Sequence, residues 1–402
     1  MSGHGRGMRV TLVALACLAA TVSRAEGTPA PRGGTIPGPP SGNAPAPEPA
    51  FESPYHHGRM DGLAYGGNIE LRFAEDRVRG VSDPEWFSVG SVGGFVSARI
   101  HPRVQFLWKA AWDRGADDFS VESAYLDVRM GGAMHGHAGI FLSPLGGPYV
   151  RQDAPRNEFD ERSLVATQLI GVPNPQLGVG IFSVSRAGKG LPLSYEIDLV
   201  TGYDDGLIME SPGGTRVAHG RNNYGDNNGM PALAARLAIL PSRTTEIGLA
   251  GQSGMYNETE VGGVTVDGAR YAHVIAADGA AILSGIRLAG EAAVAMIDVP
   301  PGLGTLYAER QWGVSAEAAR VLFEPLFKGW RTSSLTIAVR ADAVDFDRAI
   351  LGDSRSRLSA SLNIRPRAAA VLRLGWYYEI MRDRFNNTTP VDGLTLSAAS
   401  YF

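Results

Sequence analysis

From Asn68 to the C-terminus the chain repeats one pattern. Apolar and polar side chains alternate with a period of two over runs of about ten residues, and each run ends in a cluster of turn-forming residues. In the last nine residues, Leu394, Leu396, Ala398, Ser400 and Phe402 fall on one face and Thr395, Ser397, Ala399 and Tyr401 on the other. The run before it sets Ala370, Leu372, Leu374, Trp376, Tyr378 and Ile380 against Val371, Arg373, Gly375, Tyr377 and Glu379. An apolar face with Trp and Tyr near one end, backed by a face with Arg and Glu, suits lipid outside and water inside. A strand pair of a soluble sandwich would alternate in the same way, with its apolar face as core. Recurrence along the whole chain favours the membrane.

The pattern predicts sixteen strands, at 68–77, 87–100, 104–113, 119–130, 136–142, 176–186, 192–202, 230–240, 244–257, 269–278, 282–298, 311–323, 334–346, 355–365, 368–381 and 394–402. Tight connections such as His101-Pro102-Arg103, Pro241-Ser242-Arg243, Asp278-Gly279 and Pro366-Arg367 are interspersed with long ones such as 203–229 and 382–393. An open sheet edge in lipid would leave unpaired backbone groups, so the strands must close. The expected fold is all-β: a transmembrane antiparallel β-barrel of about sixteen strands, with long extracellular loops, short periplasmic turns and both termini on the periplasmic side. One segment breaks phase. In 119–130, Glu122 and Asp127 would face opposite ways, which points to a bulge or a misplaced boundary.

Composition narrows the class. Mean hydropathy is −0.06 and 19% of residues are charged, with no apolar run of helical membrane-spanning length after the N-terminus. The net charge of −4 gives no footprint for nucleic acid. Basic charge is nearly all Arg, with Lys109, Lys189 and Lys328 the only lysines. Residues 1–25 read as a secretory signal: Arg6 and Arg9, an apolar stretch Val10 to Val22, then Ser23-Arg24-Ala25 as the cleavage site. Cys17, the sole cysteine, lies in that stretch, so cleavage would leave neither a disulfide nor a Cys-metal site; acylation of Cys17 as a lipoprotein is the alternative. Residues 26–65 form a Pro/Gly-rich periplasmic linker, and 66–402 the barrel domain.

The longest connection, Ser143 to Pro175, is the third of the long loops and holds Arg151, Asp153, Arg156, Glu158, Asp160, Glu161 and Arg162. A loop of that length needs a reason. A sixteen-stranded bore is too wide for wall side chains to fill, and a charged loop folded inward would constrict it; a surface loop is the plainer alternative. Alternation places Arg72, Arg99, Lys109, Arg236, Arg287, Arg340, Arg357 and Arg373 on the inner face. The same face takes Glu70, Glu122, Glu196, Asp198, Glu246, Glu291, Glu317, Asp342 and Glu379. No G-x-S-x-G, Walker, H-E-x-x-H or paired-Cys motif occurs, so neither a cofactor nor a metal is expected. His135 and His137 share a strand face at a spacing that can hold a metal, but a turn-proximal pair without nearby carboxylates reads as solvated.

Several segments resemble the porin superfamily, and within it the phosphate-selective porin O/P type. They are His101-Pro-Arg-Val-Gln-Phe106, Glu122-Ser-Ala-Tyr-Leu-Asp127, Ala138-Gly-Ile-Phe-Leu-Ser-Pro-Leu-Gly146, Gly178-Val-Gly-Ile-Phe182 and Val200-Thr-Gly-Tyr-Asp-Asp-Gly206, about a quarter of the chain. The resemblance implies a sixteen-stranded homotrimeric channel in the outer membrane of a Gram-negative bacterium, with an inward third loop and Arg and Lys along the pore for phosphate. It also implies that the terminal Tyr401 and Phe402 are the signal read by the barrel-assembly machinery. Eight inward cations against nine anions depart from an anion-selective pattern. The expected function is passive diffusion of small hydrophilic or ionic solutes, phosphate among the candidates, in contact with lipid and lipopolysaccharide. An outer-membrane enzyme (protease or phospholipase) and a structural or adhesive barrel with a plugged lumen are the alternatives; abundant inward Gly and Ala argue for open space over a plug.

Overall fold

The computed structural model describes residues 58–60, 62–113, 118–147, 153–184, 192–209, 214–221, 223–242 and 244–402. The expected signal segment, nearly all of the linker and Arg151 lie outside them. Sixteen antiparallel strands form the wall. They are β1 (Leu63–Val78), β2 (Val81–His101), β3 (Val104–Asp113), β4 (Asp118–Gly131), β5 (Met134–Leu142), β6 (Pro175–Val184), β7 (Leu193–Val200) and β8 (Ala232–Ser242). The rest are β9 (Thr245–Met255), β10 (Tyr271–Leu283), β11 (Ile286–Ile297), β12 (Arg310–Phe323), β13 (Ser334–Asp345), β14 (Ser354–Arg367), β15 (Ala370–Arg382) and β16 (Thr388–Tyr401). A short strand, Gly58–Met60, pairs with the start of β1, so paired structure begins inside the stretch expected to be linker.

Each strand pairs with its sequence neighbour, and β16 pairs with β1 from Val391↔Val78 to Tyr401↔Asn68. Phe402 completes the closure by accepting from the Gly67 N–H at 3.0 Å and donating to the Gly67 carbonyl at 2.9 Å. No strand edge is left along this sheet, as a bilayer requires. The faces divide as the alternation demands. Leu237, Leu249, Ile275, Val339, Leu358, Leu374 and Trp376 are exposed on the outside, while Arg236, Ala250, Val274, Arg340, Arg357 and Arg373 are buried on the inside.

Turns and bulges set the register, and here expectation and structure part in places. The turn between β10 and β11 is Ser284-Gly285, with φ of 52° and 78°, and not Asp278-Gly279. A two-residue hairpin of this kind needs two left-handed residues. Asp278 instead stays within β10, buried, as the partner of Arg236. Likewise β1 and β2 run on to a tight Arg79-Gly80 turn, φ 51° and 80°, where a longer loop was expected. The phase break in β4 is a bulge: Lys109 faces Ser123 and Ala110 faces Val121, leaving Glu122 as the extra residue. That brings Glu122 and Ser123 both into the interior, and Asp127 follows on the same side of the wall. Long connections cluster on one rim, although that rim also carries Arg79-Gly80; the opposite rim carries the longer 324–333 among its short turns.

Two outcomes test this architecture. Val339→Arg, at mid-strand on the outer face, is expected to destabilise the barrel in lipid by about 2–4 kcal/mol, measured by reversible denaturant unfolding. Deleting Phe402 removes both backbone bonds to Gly67 and should lower the yield of heat-modifiable, assembled barrel while leaving the function of assembled molecules unchanged; normal assembly of the truncated chain would reduce Phe402 to an ordinary outer-face aromatic.

Candidate functional site

The described residues of the connection between β5 and β6, 143–147 and 153–174, lie inside the barrel. The connection starts and ends on one wall, yet residues 153–162 bond to the wall far around the ring. Asp153 accepts from Lys109 Nζ of β3 at 2.7 Å and from the Tyr401 hydroxyl of β16 at 3.2 Å. A short 3₁₀ turn, Ala154–Arg156, turns its carbonyls to arginines: Arg365 of β14 donates to Pro155 and Asn157, and Arg373 of β15 to Ala154 and Asn157. Glu158 is held by Arg287 of β11 at 2.6 Å and Arg365 at 3.4 Å. Asp160 and Glu161 both meet Arg72 of β1, at 3.2 and 2.9 Å, and Glu161 also meets Arg357 at 2.5 Å. Arg340 of β13 donates to the carbonyls of Glu161 and Arg162 at 2.9 and 3.2 Å.

The second half of the loop is apolar and returns along another part of the wall. Leu164, Val165, Ala166, Leu169, Ile170 and Val172 pack against Ala250, Val274, Ala276, Ala293, Ala295, Ile297 and Val344, with Tyr203, Leu207, Val217 and Tyr256 from the neighbouring connections. A π-helical turn, Ala166–Ile170, shapes it and ends at Gly171, whose φ is 77°. Full burial of each large aliphatic side chain contributes about 1.5–3 kcal/mol. The inward alanines are therefore a floor for the loop; the expectation that they line open space does not hold on this side. Ser163 marks the change of character, its hydroxyl bonding to Glu291 of β11.

The remaining wall charges also meet partners. Glu122 sits 2.6 Å from Lys109. Glu70 holds Arg373, which is 1% exposed, at 2.8 Å. Arg340 and Asp342 lie 3.1 Å apart, and Glu317 is half-buried directly opposite Arg340. Glu379 lies 3.8 Å from Arg355 and 3.9 Å from Arg357. Arg236 bridges Glu246 at 3.0 Å and Asp278 at 2.7 Å across β9. Gly248 makes that crossing possible, since a Cβ there would overlap the guanidinium and come 2.7 Å from Asp278 Oδ2. Arg99 alone of the predicted set stands exposed, beside the register shift near His101. Arg156 and Arg162 sit half-buried in the loop.

Burial by itself would raise the loop carboxyls, but the facing cations outweigh it. Arg365 and Arg287 hold Glu158 down to about 2. Lys109 lowers Asp153, and Arg357 with Arg72 lowers Glu161.

Sequence reasoning missed two features. Arg365 was legible, because the alternation that turns Arg357 inward reaches it four steps later; the expected turn at Pro366 hid it. The ground for reading His135 and His137 as solvated also fails. His135 Nδ1 lies 2.7 Å from Asp127 Oδ1, and His137 Nε2 lies 2.7 Å from Asp198 Oδ1, with Glu196 close by. Strands β4 and β7 bring in those carboxylates, which no spacing along β5 could reveal.

No protein-family model matches the chain, and no curated protein sequence does. Solved structures do match. An anion-selective porin from Comamonas acidovorans aligns at 10% identity and a TM-score of 0.54, over 85% of this chain and 99% of that one. OmpT of Vibrio cholerae, in a trimer form, aligns at 10% identity and 0.53, over 85% and 100%. OmpF of Salmonella typhi, in complex with daunomycin, aligns at 12% identity and 0.54, over 85% and 98%. What they share with this chain is the fold: a closed sixteen-stranded antiparallel barrel of the kind found in outer-membrane porins.

Proposed function

We propose that the chain forms a water-filled channel in the outer membrane of a Gram-negative bacterium, for passive diffusion of small hydrophilic or ionic solutes. The observation that supports this reading is the loop 153–172, which is anchored across the lumen by wall cations, a position from which it would constrict the bore. Transport then rests on size exclusion at the loop and on the field of charges that line the remaining passage. The loop's own acids neutralise much of the arginine wall, so the constriction is mixed in sign. Phosphate is one candidate solute by resemblance, without a surplus of cations to enforce it. A homotrimer agrees with the Vibrio cholerae relative, whose structure is described as a trimer. Export by the N-terminal signal, assembly through Tyr401 and Phe402, and contact with lipopolysaccharide complete the reading.

The enzyme alternative needs a positioned nucleophile. Ser253 Oγ lies 2.8 Å from His273 Nδ1 on the exposed face, and among the described residues no carboxylate bonds that ring. Such a pair lacks the third group that orients a catalytic base. A plugged lumen is the second alternative, favoured by the apolar packing of residues 164–172, and it predicts no steady conductance.

Reconstituted in planar bilayers, the chain should give stable single-channel steps, and their absence would favour the plug. Replacing Asp153, Glu158, Asp160 and Glu161 by their amides removes the ion-pair partners of Arg72 and Arg287 and leaves Lys109 to Glu122 and Arg357 to Glu379. Reversal potentials in a salt gradient should then shift toward anion preference, and an unchanged potential would remove this loop from the permeation path. The pH dependence has a definite sign. The loop carboxyls are depressed in the folded protein, so anchoring is fully present above the ordinary carboxylate range and is lost as pH falls toward about 2. Conductance should therefore change as pH falls below about 4.5, and a conductance that holds constant down to about pH 2 would contradict this anchoring.

A further inference from the structure

The rim opposite the long connections carries an imbalance of charge that neither the loop nor the lumen uses. Among the described residues, Arg99, Arg103, Arg129, Arg320, Lys328 and Arg331 stand exposed there, and Glu324 is the exposed acid. Asp127 and Glu246 lie near that rim on the inner wall, but His135 and Arg236 take them. The other rim is mixed, with Glu258, Glu260, Glu309 and Asp383 exposed beside Arg79, Arg310 and Arg382. Three of the cations, Arg320, Lys328 and Arg331, come from one stretch of chain, the end of β12 and the connection 324–333. Among the described residues none of these three has an ion-pair partner.

Arg320 lies on the lipid-facing side. The period of two turns Ala319 inward, where it packs with Phe159 of the loop, and so turns Arg320 out. In register it stands between Ile286 of β11 and Ile337 of β13. An arginine on an apolar face lays its stem along that surface and carries its head to the interface. Just beyond it β12 bulges: Val321 faces Thr336 and Phe323 faces Leu335, leaving Leu322 as the extra residue. All three are exposed apolar side chains. The chain then makes a closed turn around the buried Ser333. Its hydroxyl accepts from the Phe327 N–H at 2.8 Å and donates to the Trp330 carbonyl at 2.7 Å, and its carbonyl accepts from the Leu326 N–H at 2.9 Å. Gly329 supplies the left-handed residue, with a φ of 93°. The Phe327 and Trp330 rings meet edge to face, 5.5 Å between centroids, with the exposed Lys328 and Arg331 next to them in sequence.

We propose that the end of β12 and the connection 324–333 form a binding site for the headgroup of an anionic phospholipid in the adjoining leaflet. The partner must offer negative charge and hydrocarbon together. A soluble acidic protein meets Lys328 and Arg331 but not an arginine set between two isoleucines on the lipid face, whereas a phospholipid meets both. Aromatic rings held at headgroup level suit that boundary, apolar on one side and wet on the other. Arg and Lys take phosphate oxygens in charge-assisted hydrogen bonds. A zwitterionic headgroup carries a cation of its own, so the surplus of positive charge selects the net anion. Ser333 holds the turn before any lipid arrives, which leaves little ordering to oppose binding. The site rests on the membrane reading given above and is independent of conduction.

The test uses the assembled chain in an uncharged detergent, delipidated and titrated with dioleoylphosphatidylglycerol or dioleoylphosphatidylcholine, bound lipids being counted by native mass spectrometry. One cation at a charged membrane surface is worth about fivefold in affinity, so the three together should favour phosphatidylglycerol by about a hundredfold, less at high salt. Arg320→Gln, Lys328→Gln and Arg331→Gln should each cut that margin about fivefold, and the triple variant should bring the two lipids level. Arg310→Gln and Arg382→Gln on the other rim should leave it unchanged. Heat-modifiable migration identifies variants that assemble; if Arg320→Gln does not, the double variant of the connection, Lys328→Gln with Arg331→Gln, decides the matter. Equal binding of the two lipids by the unaltered chain overturns the site, as does an equal loss in Arg310→Gln. An unchanged margin in the triple variant also overturns it and leaves the basic rim to a soluble acidic partner. Displacement of the lipid by equimolar glycerol phosphate would overturn a lipid as the occupant in favour of free phosphate. Single-channel steps recorded on the same preparation separate the two readings: steps without lipid preference overturn this site alone, and lipid preference without steps supports it while the channel reading fails.

Discussion

Every backbone N–H and C=O of a wall in lipid must find its partner within the wall, and the rest of this structure follows from that demand. It forces β16 onto β1 and makes the final residue a participant in closure through its two bonds to Gly67. Once the sheet is closed, side chains have two destinations, lipid or lumen, and the period of two assigns each residue to one of them. Val339 and Leu358 go out while Arg340 and Arg357 go in. Closure at sixteen strands also makes a bore that wall side chains cannot fill, which sets the problem that the long connection between β5 and β6 addresses.

That connection uses two kinds of physics in sequence. Its first half offers carboxylates and carbonyls to a wall rich in guanidinium groups. Arg suits this role because its planar fork reaches two acceptors at once, as Arg357 does with Glu161 and the Arg162 carbonyl. Such buried pairs add little net stability over apolar packing, but breaking one side costs about 3–5 kcal/mol, so they specify where the loop sits. Its second half buries Leu164, Val165, Leu169 and Ile170 on inward alanines, where small wall residues leave volume for large loop residues. Position comes from the charges, and cohesion comes from the apolar half.

Close approaches across one intervening strand are a recurring device of the wall. Arg236 reaches Asp278 over Gly248, and His137 reaches Asp198 over Gly180. Strands in a ladder lie about 4.8 Å apart, so residues two strands away meet only if the strand between them carries no side chain at that point. The bulge at Glu122 works to the same end, adding a second consecutive inward residue where Lys109 needs a partner.

The sequence by itself determined the number of strands, the face that residues take wherever the alternation runs unbroken, and the existence of one long charged connection. All of these are local: alternation is visible within ten residues, because successive side chains of any strand point to opposite sides. Tertiary structure alone decided which charges meet. Arg340 and Glu161 are 179 positions apart, and Arg373 and Glu70 are 303 apart. Their meeting depends on closure and on a register accumulated through every turn and bulge between them. The same holds for Asp278, which looked like a turn residue beside Gly279 until the wall supplied Arg236, and for His137, which looked solvated until β7 supplied Asp198. A one-residue slip in any hairpin would reverse the faces and dissolve these pairs, so register, a property of the closed wall, sets the chemistry of the lumen.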